Sequence, residues 1–314
     1  MVVRSAPVDL DLRARRGVYI FCNDLVTDWL LAFLRSFRKH NPNVPVVAVP
    51  FDDAMHKTKG ILERFHVALW QEESTLNVFD DIGRSIHPDN PVASHMFRKL
   101  AVFQGPLETF LYLDVDIIVG VDISSLLAAI DRVESAQICF SDHEPQDVII
   151  PRDSPWFGCD NGPFFNAGIF GSRHGVFDIR TMCTFFRELR VPPKSSWMTE
   201  QSFLNLLALT AGVRVAQFAT LLPGFPTRTI ASRIPPDSIT AHKGWPLVHW
   251  AGEQHGRAMT HWTLFRSARC SAARPLDAII YLAWTSGLRP ILRPYLRTAR
   301  TFLDRGVGPS GAHR

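Results

Sequence analysis

The sequence has no paired-cysteine motif. Its five cysteines, Cys22, Cys139, Cys159, Cys183 and Cys270, are odd in number and form no Cys-x-x-Cys pair. That spacing argues against a zinc site and for free thiols in a reducing compartment. Long apolar runs are also missing. A stretch such as 278–284 falls far short of the roughly 20 residues that span a bilayer. The start, Met1-Val2-Val3-Arg4, lacks the basic-then-apolar order of a signal peptide, so a cytoplasmic protein is the expectation. Charge of one sign is scarce: the net charge is +4, and no basic stripe interleaved with aromatics runs through the body of the chain. A nucleic-acid partner is therefore not expected. There is no internal repeat, no low-complexity tract and no Gly-rich phosphate loop around Gly17-Val18-Tyr19-Ile20.

What is present is a globular composition. Of 314 residues, 46% are hydrophobic and 20% charged, which excludes a disordered chain. The length suits one large domain, or one domain with an appendage, and a chain of this size hides roughly three-quarters of its unfolded surface. The expected division is an N-terminal extension over 1–16, a catalytic domain over 17–273 and a basic tail over 274–314.

The pattern along the chain is α/β. Val18 to Cys22 reads as a buried strand. Trp29, Leu30, Phe33, Leu34 and Phe37 follow at helical spacing, with Arg35, Arg38 and Lys39 in the last turns, where cations suit the helix dipole. Asn41-Pro42-Asn43 stops that helix, and Val44 to Val49 is a second buried strand. Strand, helix and strand in this order predict a sheet that is parallel at its start. Phe97 to Phe103 reads as helix and is broken by Gly105-Pro106. Thr109 to Leu113 is a strand that runs directly into Asp114-Val115-Asp116 and on to Ile117-Ile118-Val119. Ile138 to Phe140 is a further strand, Glu200 to Leu209 a helix, and Val248-His249-Trp250 a late strand end.

Asp114 and Asp116 carry the chemistry. Side chains two apart on a strand share a face, so the carboxylates converge if the backbone stays extended. Two buried like charges need a positive partner, and a divalent cation bound by hard oxygen ligands is the obvious one. The pair also falls beyond the carboxyl end of a strand, where ligands of open α/β sheets sit. Taken alone, Asp-x-Asp fits a solvated turn, but the apolar residues on both sides argue against that.

With these residues in place, the chain resembles the GT-A glycosyltransferases, closest to the glycogenin and lipopolysaccharide-galactosyltransferase type. Six segments match in order between about Gly17 and Gly256. They are the opening strand with Asn23, Arg98-Lys99-Leu100, Leu111-Tyr112-Leu113-Asp114-Val115-Asp116, Phe165-Asn166-Ala167-Gly168-Ile169, Glu200-Gln201-Ser202-Phe203-Leu204-Asn205, and Val248-His249-Trp250-Ala251-Gly252. The resemblance implies a mixed, mostly parallel central sheet flanked by helices. It also implies a UDP-type nucleotide-diphosphate sugar as donor and transfer with retention. His249 would complete a metal site with Asp114 and Asp116. Two carboxylates and an imidazole suit Mn²⁺ or Mg²⁺, and the nitrogen ligand favours Mn²⁺.

By the same resemblance, Asn23, Arg98, Lys99, Val115, Asn166, Ala167, Gly168, Gly252 and His255 contact the donor, and Gln201 and Glu200 stand by the reacting sugar. Several candidate residues have a plainer reading beside the functional one. Lys99 fits a solvated helix residue, Asn166 a turn former and Glu200 a helix-start acid. His249 fits a core histidine, and Asp24 and Asp53 fit strand-end turns. The chain departs from the family where His255 stands at the usual Lys, with no Pro-Trp after it. Arg257 or Lys243 is then the substitute for the diphosphate contact. Glu200 replaces the usual Asp.

Two other functions fit the same features less well. A sugar nucleotidyltransferase would carry the Gly-rich loop that is missing. A non-catalytic nucleotide-sugar-binding module would not require Asp114, Asp116 and His249 together. The acceptor is open among saccharide, lipid-linked glycan, protein and small metabolite. In the tail, Arg289, Arg293, Arg297, Arg300 and Arg305 alternate with apolar residues. That fits a helix lying peripherally on an anionic membrane or one packed on the domain, and Pro290 and Pro294 favour packing.

Overall fold

The structure is a computed structural model. It describes residues 16–133, 137–145, 164–234 and 246–252, with isolated positions between 148 and 158 and between 264 and 268. His255, Lys243, Arg257, Cys159, Cys270 and the basic tail lie outside the described residues. Of the expected N-terminal extension only Arg16 is described, and it opens the first strand.

Nine strands and eight α-helices are defined among the described residues. The strands are β1 (Arg16–Cys22), β2 (Val46–Pro50), β3 (Ala68–Leu69), β4 (Thr109–Leu113), β5 (Ile117–Val119), β6 (Ile138–Phe140), β7 (Ile169–Arg173), β8 (Val215–Gln217) and β9 (Leu247–His249). The helices are α1 (Thr27–His40), α2 (His56–Arg64), α3 (Glu73–Ile86), α4 (Pro91–His95), α5 (Ser124–Arg132), α6 (Ile179–Leu189), α7 (Glu200–Thr210) and α8 (Phe218–Leu221). A seven-stranded sheet runs β3-β2-β1-β4-β7-β6-β8, and β5 and β9 form a separate antiparallel pair. β1 is parallel to both β2 and β4, as the opening pattern predicts, and β7 runs antiparallel between β4 and β6. The sheet is thus mixed and mostly parallel. The second strand begins at Val46 and not at Val44, because Pro45 has no N–H to give the ladder; its carbonyl instead accepts from Val18 N at 2.9 Å.

The inner strands are continuous apolar runs because helices cover both faces. Alternation along each strand sends side chains to two cores. Val18, Ile20, Val46, Ala48, Leu111 and Leu113 pack towards α1 and α5, where Leu30, Phe33, Phe37, Leu126 and Ile130 meet them. Tyr19, Phe21, Val47, Val49, Phe110 and Tyr112 pack towards α3 and α7, against Phe79, Ile82, Phe203 and Leu207. No helix among the described residues is long and apolar enough to cross a membrane.

The helix expected over Phe97 to Phe103 is a 3-10 helix, Met96–Gln104, with Phe97 to Phe103 all buried. At three residues per turn, successive side chains diverge by about 120°. Arg98 and Lys99 therefore leave the segment in different directions. Arg98 donates to Asp80 of α3 from Nε at 2.8 Å and from Nη2 at 2.7 Å, a bidentate pair that is almost fully buried. Burial alone pushes the Asp80 carboxyl up, but these bonds and the Arg98 charge outweigh it and hold the carboxyl below its ordinary range. Asp80 therefore stabilises the fold above the usual carboxylate pKa, and that contribution is lost as pH falls through its depressed folded value. Asp80→Ala, which strands the guanidinium, is expected to cost about 3–5 kcal/mol in urea unfolding at pH 7. The gap from wild type should narrow in acid; an equal gap at pH 7 and at pH 3 would contradict this.

A candidate metal and donor site at the end of the fourth strand

β4 ends at Leu113, and the chain turns through Asp114, Val115 and Asp116 before β5 begins. The backbone is a turn here, not the extended segment that would place both carboxylates on one face. They converge nonetheless, because two neighbouring segments pin the turn. Asp114 N donates to Gly168 O at 2.9 Å, and Trp250 N donates to Asp116 O at 3.0 Å. Ile117 pairs with His249 across β5 and β9, which brings the imidazole alongside. His249 Nε2 lies 3.3 Å from Asp116 Oδ1 and 3.8 Å from Asp114 Oδ2. One ligand atom from each of the three residues lies within 4.8 Å of the others.

The three side chains of this cluster act strongly on one another. Burial raises the Asp114 carboxyl, and neighbouring Asp116 adds to that against the pull of Lys99. Burial also acts against the Asp116 carboxylate, but His249 outweighs it and the carboxyl is held low. Burial disfavours the charged His249, yet the two carboxylates raise its pKa above the ordinary value. Asp116 Oδ1 and His249 Nδ1 are buried atoms with no hydrogen-bond partner. Unpaired buried polar atoms are rare and call for an explanation, for which an ion is one candidate. Gly168 keeps the space open: a Cβ there would stand 2.2 Å from His249 Cε1 and 2.8 Å from Asp114 Oδ2. The donor set, the orphaned atoms and the missing side chain all fit a divalent cation.

Lys99 is no solvated helix residue. Its side chain is only 3% exposed, and Nζ lies 3.4 Å from Asp114 Oδ1 and 3.2 Å from Glu200 Oε1. Burial works against its charge, but Asp114 and Glu200 prevail and its pKa is raised. Nζ also sits 5.1 Å from the ring centre of Tyr112, whose hydroxyl donates to the same Asp114 oxygen. Sequence reasoning assigned Tyr112 no role. Its signal was a polar group at the end of an apolar strand, two residues before the first aspartate.

Glu200 opens α7, whose N-cap Thr199 accepts from Ser202 N at 3.1 Å. Glu200 is therefore both the helix-start acid and a partner of Lys99. One position on, Gln201 Oε1 accepts from Ala167 N at 2.8 Å. Asn205, on the same face four residues later, accepts from Phe165 N and donates to Phe165 O, each at 2.9 Å. Two amides of α7 thus hold Phe165 to Ala167 as a partner strand would. Asn166 Oδ1 accepts from Gly168 N at 2.8 Å, so the turn-former reading of Asn166 holds for that oxygen.

The remaining expected residues fall in different places. Val115 is buried beside the aspartates, and Gly252, with φ of 72°, lies three residues beyond His249. Asn23 caps the short helix after β1 through Leu25 N and donates to Asp52 at 2.8 Å. Asp24 accepts from Lys57 N and Thr58 N, so it caps the start of α2 across the fold and does not merely turn the chain after β1. Arg98 is committed to Asp80 on two nitrogens; its third, Nη1, has no hydrogen-bond partner and lies 3.6 Å from Asp53. A cavity of about 590 Å³, lined by Asn90, Met96, Lys194, Thr199 and Glu200 among others, adjoins the site on the Glu200 side.

No protein-family model matches the chain, and no curated protein sequence does. Solved structures match the fold. The bifunctional glycosyltransferase WbbM in its apo form aligns with a TM-score of 0.54 and 17% identity, over 85% of this chain and 51% of that one. The galactosyltransferase LgtC, in complex with donor and acceptor sugar analogues, aligns with a TM-score of 0.52 and 15% identity, over 82% of this chain and 96% of that one. GlyE of Streptococcus pneumoniae TIGR4, an apo glycosyltransferase, gives a TM-score of 0.51 and 12% identity over 87% of this chain and 64% of that one. The chain has the fold of the GT-A glycosyltransferases. It spans about half the length of WbbM.

Proposed function

We propose that the chain is a metal-dependent glycosyltransferase that moves a sugar from a nucleotide-diphosphate donor to a hydroxyl-bearing acceptor. One observation carries the reading: Asp114, Asp116 and His249 converge beyond the carboxyl end of β4, on a fold that glycosyltransferases use. Mn²⁺ or Mg²⁺ held there would supply Lewis-acid stabilisation of the departing nucleotide diphosphate. UDP as the nucleotide and retention at the anomeric carbon rest on the sequence resemblance.

The chain's own residues divide the remaining work. Lys99 places a buried positive charge beside Asp114 and Glu200, and would hold both carboxylates in place for the donor. Gly168 lets that sugar approach the backbone closely. The Gln201 amide oxygen is occupied by Ala167 N, so its role beside the reacting sugar would fall to its NH₂ group. The acceptor would arrive through the cavity that opens on Glu200. The nucleoside contact assigned to Asn23 rests on the sequence resemblance and would lie at the carboxyl edge of the same sheet.

The test is release of nucleotide diphosphate from a panel of UDP-sugars without any acceptor, with Mn²⁺ or with a chelator. Slow hydrolysis of one donor, abolished by the chelator, is expected. Release that the chelator leaves untouched would refute metal dependence.

A further inference from the structure

One buried acid takes no part in the site as described. Asp142, two residues past β6, is 1% exposed, and no ion pair reaches it among the described residues. Two residues supply the donors that hold its carboxyl group. Thr229 N approaches the two oxygens at 3.0 and 3.1 Å, the Thr229 hydroxyl donates to Oδ2, and Ser141 Oγ donates to the same oxygen at 2.9 Å. A buried carboxyl group is costly unless it is hydrogen-bonded, so the donors that hold it there matter to the fold around it.

Both segments that this carboxylate joins run on into the metal site. Asp142 O accepts from Asn166 N at 3.0 Å, and Thr229 O accepts from His249 N at 2.9 Å. Ile230, the next residue, bridges His249 in parallel. Asn166 leads into β7 of the large sheet, whereas His249 ends β9 of the small one. The Asp142–Thr229 link therefore spans the two sheets where the cluster is assembled. An amide in place of the carboxylate would turn its NH₂ towards donors that already point inward. With its oxygen kept at the Oδ2 position, its NH₂ would stand against Thr229 N, donor against donor, where Oδ1 accepts at 3.0 Å.

We propose that Asp142 is a positioning residue: through Thr229 it sets where His249 stands relative to Asp114 and Asp116, and so sets the affinity of the cluster for its metal. This inference rests on the metal-site reading above. Groups that orient metal ligands from outside the coordination shell typically change metal affinity by roughly 10- to 100-fold.

The experiment is Mn²⁺ binding to the full chain, followed by the loss of the free-ion EPR signal, alongside a far-UV CD melt. Wild type and the variants Asp142→Asn, Thr229→Val and Thr229→Ser are compared, with Asp116→Asn as the no-site control. Asp142→Asn is expected to weaken binding about 10- to 100-fold while the folded spectrum is kept. Thr229→Val should weaken it less, and Thr229→Ser should restore it. If Asp142→Asn does not fold, the contrast between Val and Ser at 229 decides. Wild-type affinity in both Asp142→Asn and Thr229→Val, or a lowered melting midpoint at unchanged affinity, would overturn the positioning role. Wild type that binds Mn²⁺ no better than Asp116→Asn would overturn the metal reading itself, and this inference with it.

Discussion

Gly168→Ala is expected to lower metal-dependent turnover by about 100-fold, the scale on which a misplacement of roughly 1 Å at a catalytic centre acts. The new Cβ would stand 2.2 Å from His249 Cε1, 2.8 Å from Asp114 Oδ2 and 2.9 Å from Asn166 Oδ1. None of these atoms can retreat freely. His249 is held at its backbone by Thr229 O and by its strand partner Ile117. Asp114 is held by the Gly168 carbonyl and by the Tyr112 hydroxyl, and Asn166 by Asp142 O. Something must move, and every candidate belongs to the site. The fold itself should survive, since overpacking a single methyl costs about 1–3 kcal/mol. Gly60→Ala in α2 is the matched control: its Cβ would meet nothing within 4 Å, and its activity should equal that of wild type. Equal activity in the two variants would mean that the space beside Gly168 is not part of the working site.

Asp116→Asn is expected to reduce turnover by more than about 100-fold, because even groups behind a metal ligand are worth roughly 10- to 100-fold in affinity or activity. The substitution keeps the size of the side chain and removes one carboxylate from the cluster. It keeps an oxygen to face His249 Nε2, 3.3 Å away, while removing the charge from that pair, and it leaves Trp250 N bonded to the backbone carbonyl. The loss should therefore appear in metal affinity and turnover, with the thermal midpoint of the metal-free protein within a few degrees of wild type. Turnover close to wild type, at any Mn²⁺ concentration, would remove Asp116 from the metal site.

The sequence alone supplied the parts of this site that depend on local pattern. Apolar strands buried on both faces, the helix with Trp29 and Phe33 on its inner side, and a strand running straight into Asp114 were all legible from periodicity. The resemblance to the GT-A family, carried by the order of six segments, then paired these with Asn166, Gln201 and His249. What remained hidden were partnerships between distant segments. Nothing near Arg98 in sequence shows that Asp80 will claim it, because that pair is made by the packing of α3 on the 3-10 helix. The same holds for Asp142 and Thr229, which are 87 residues apart. The carboxylates also converge by a different route from the one strand geometry predicts. A turn at Val115 and Asp116, pinned by Gly168 and Trp250, does the work that an extended backbone was expected to do.

The central claim is that Asp114, Asp116 and His249 hold a divalent cation that in turn holds a nucleotide diphosphate. Thermal unfolding of the wild-type chain with UDP, in Mn²⁺ and in EDTA, tests it most directly. At about 100 times its dissociation constant a ligand stabilises the fold by roughly 2.7 kcal/mol. For a chain of this size that moves the midpoint by roughly 4 °C. The account predicts such a rise only when UDP and Mn²⁺ are present together. An equal rise with UDP in EDTA, or no rise under any condition, would contradict it.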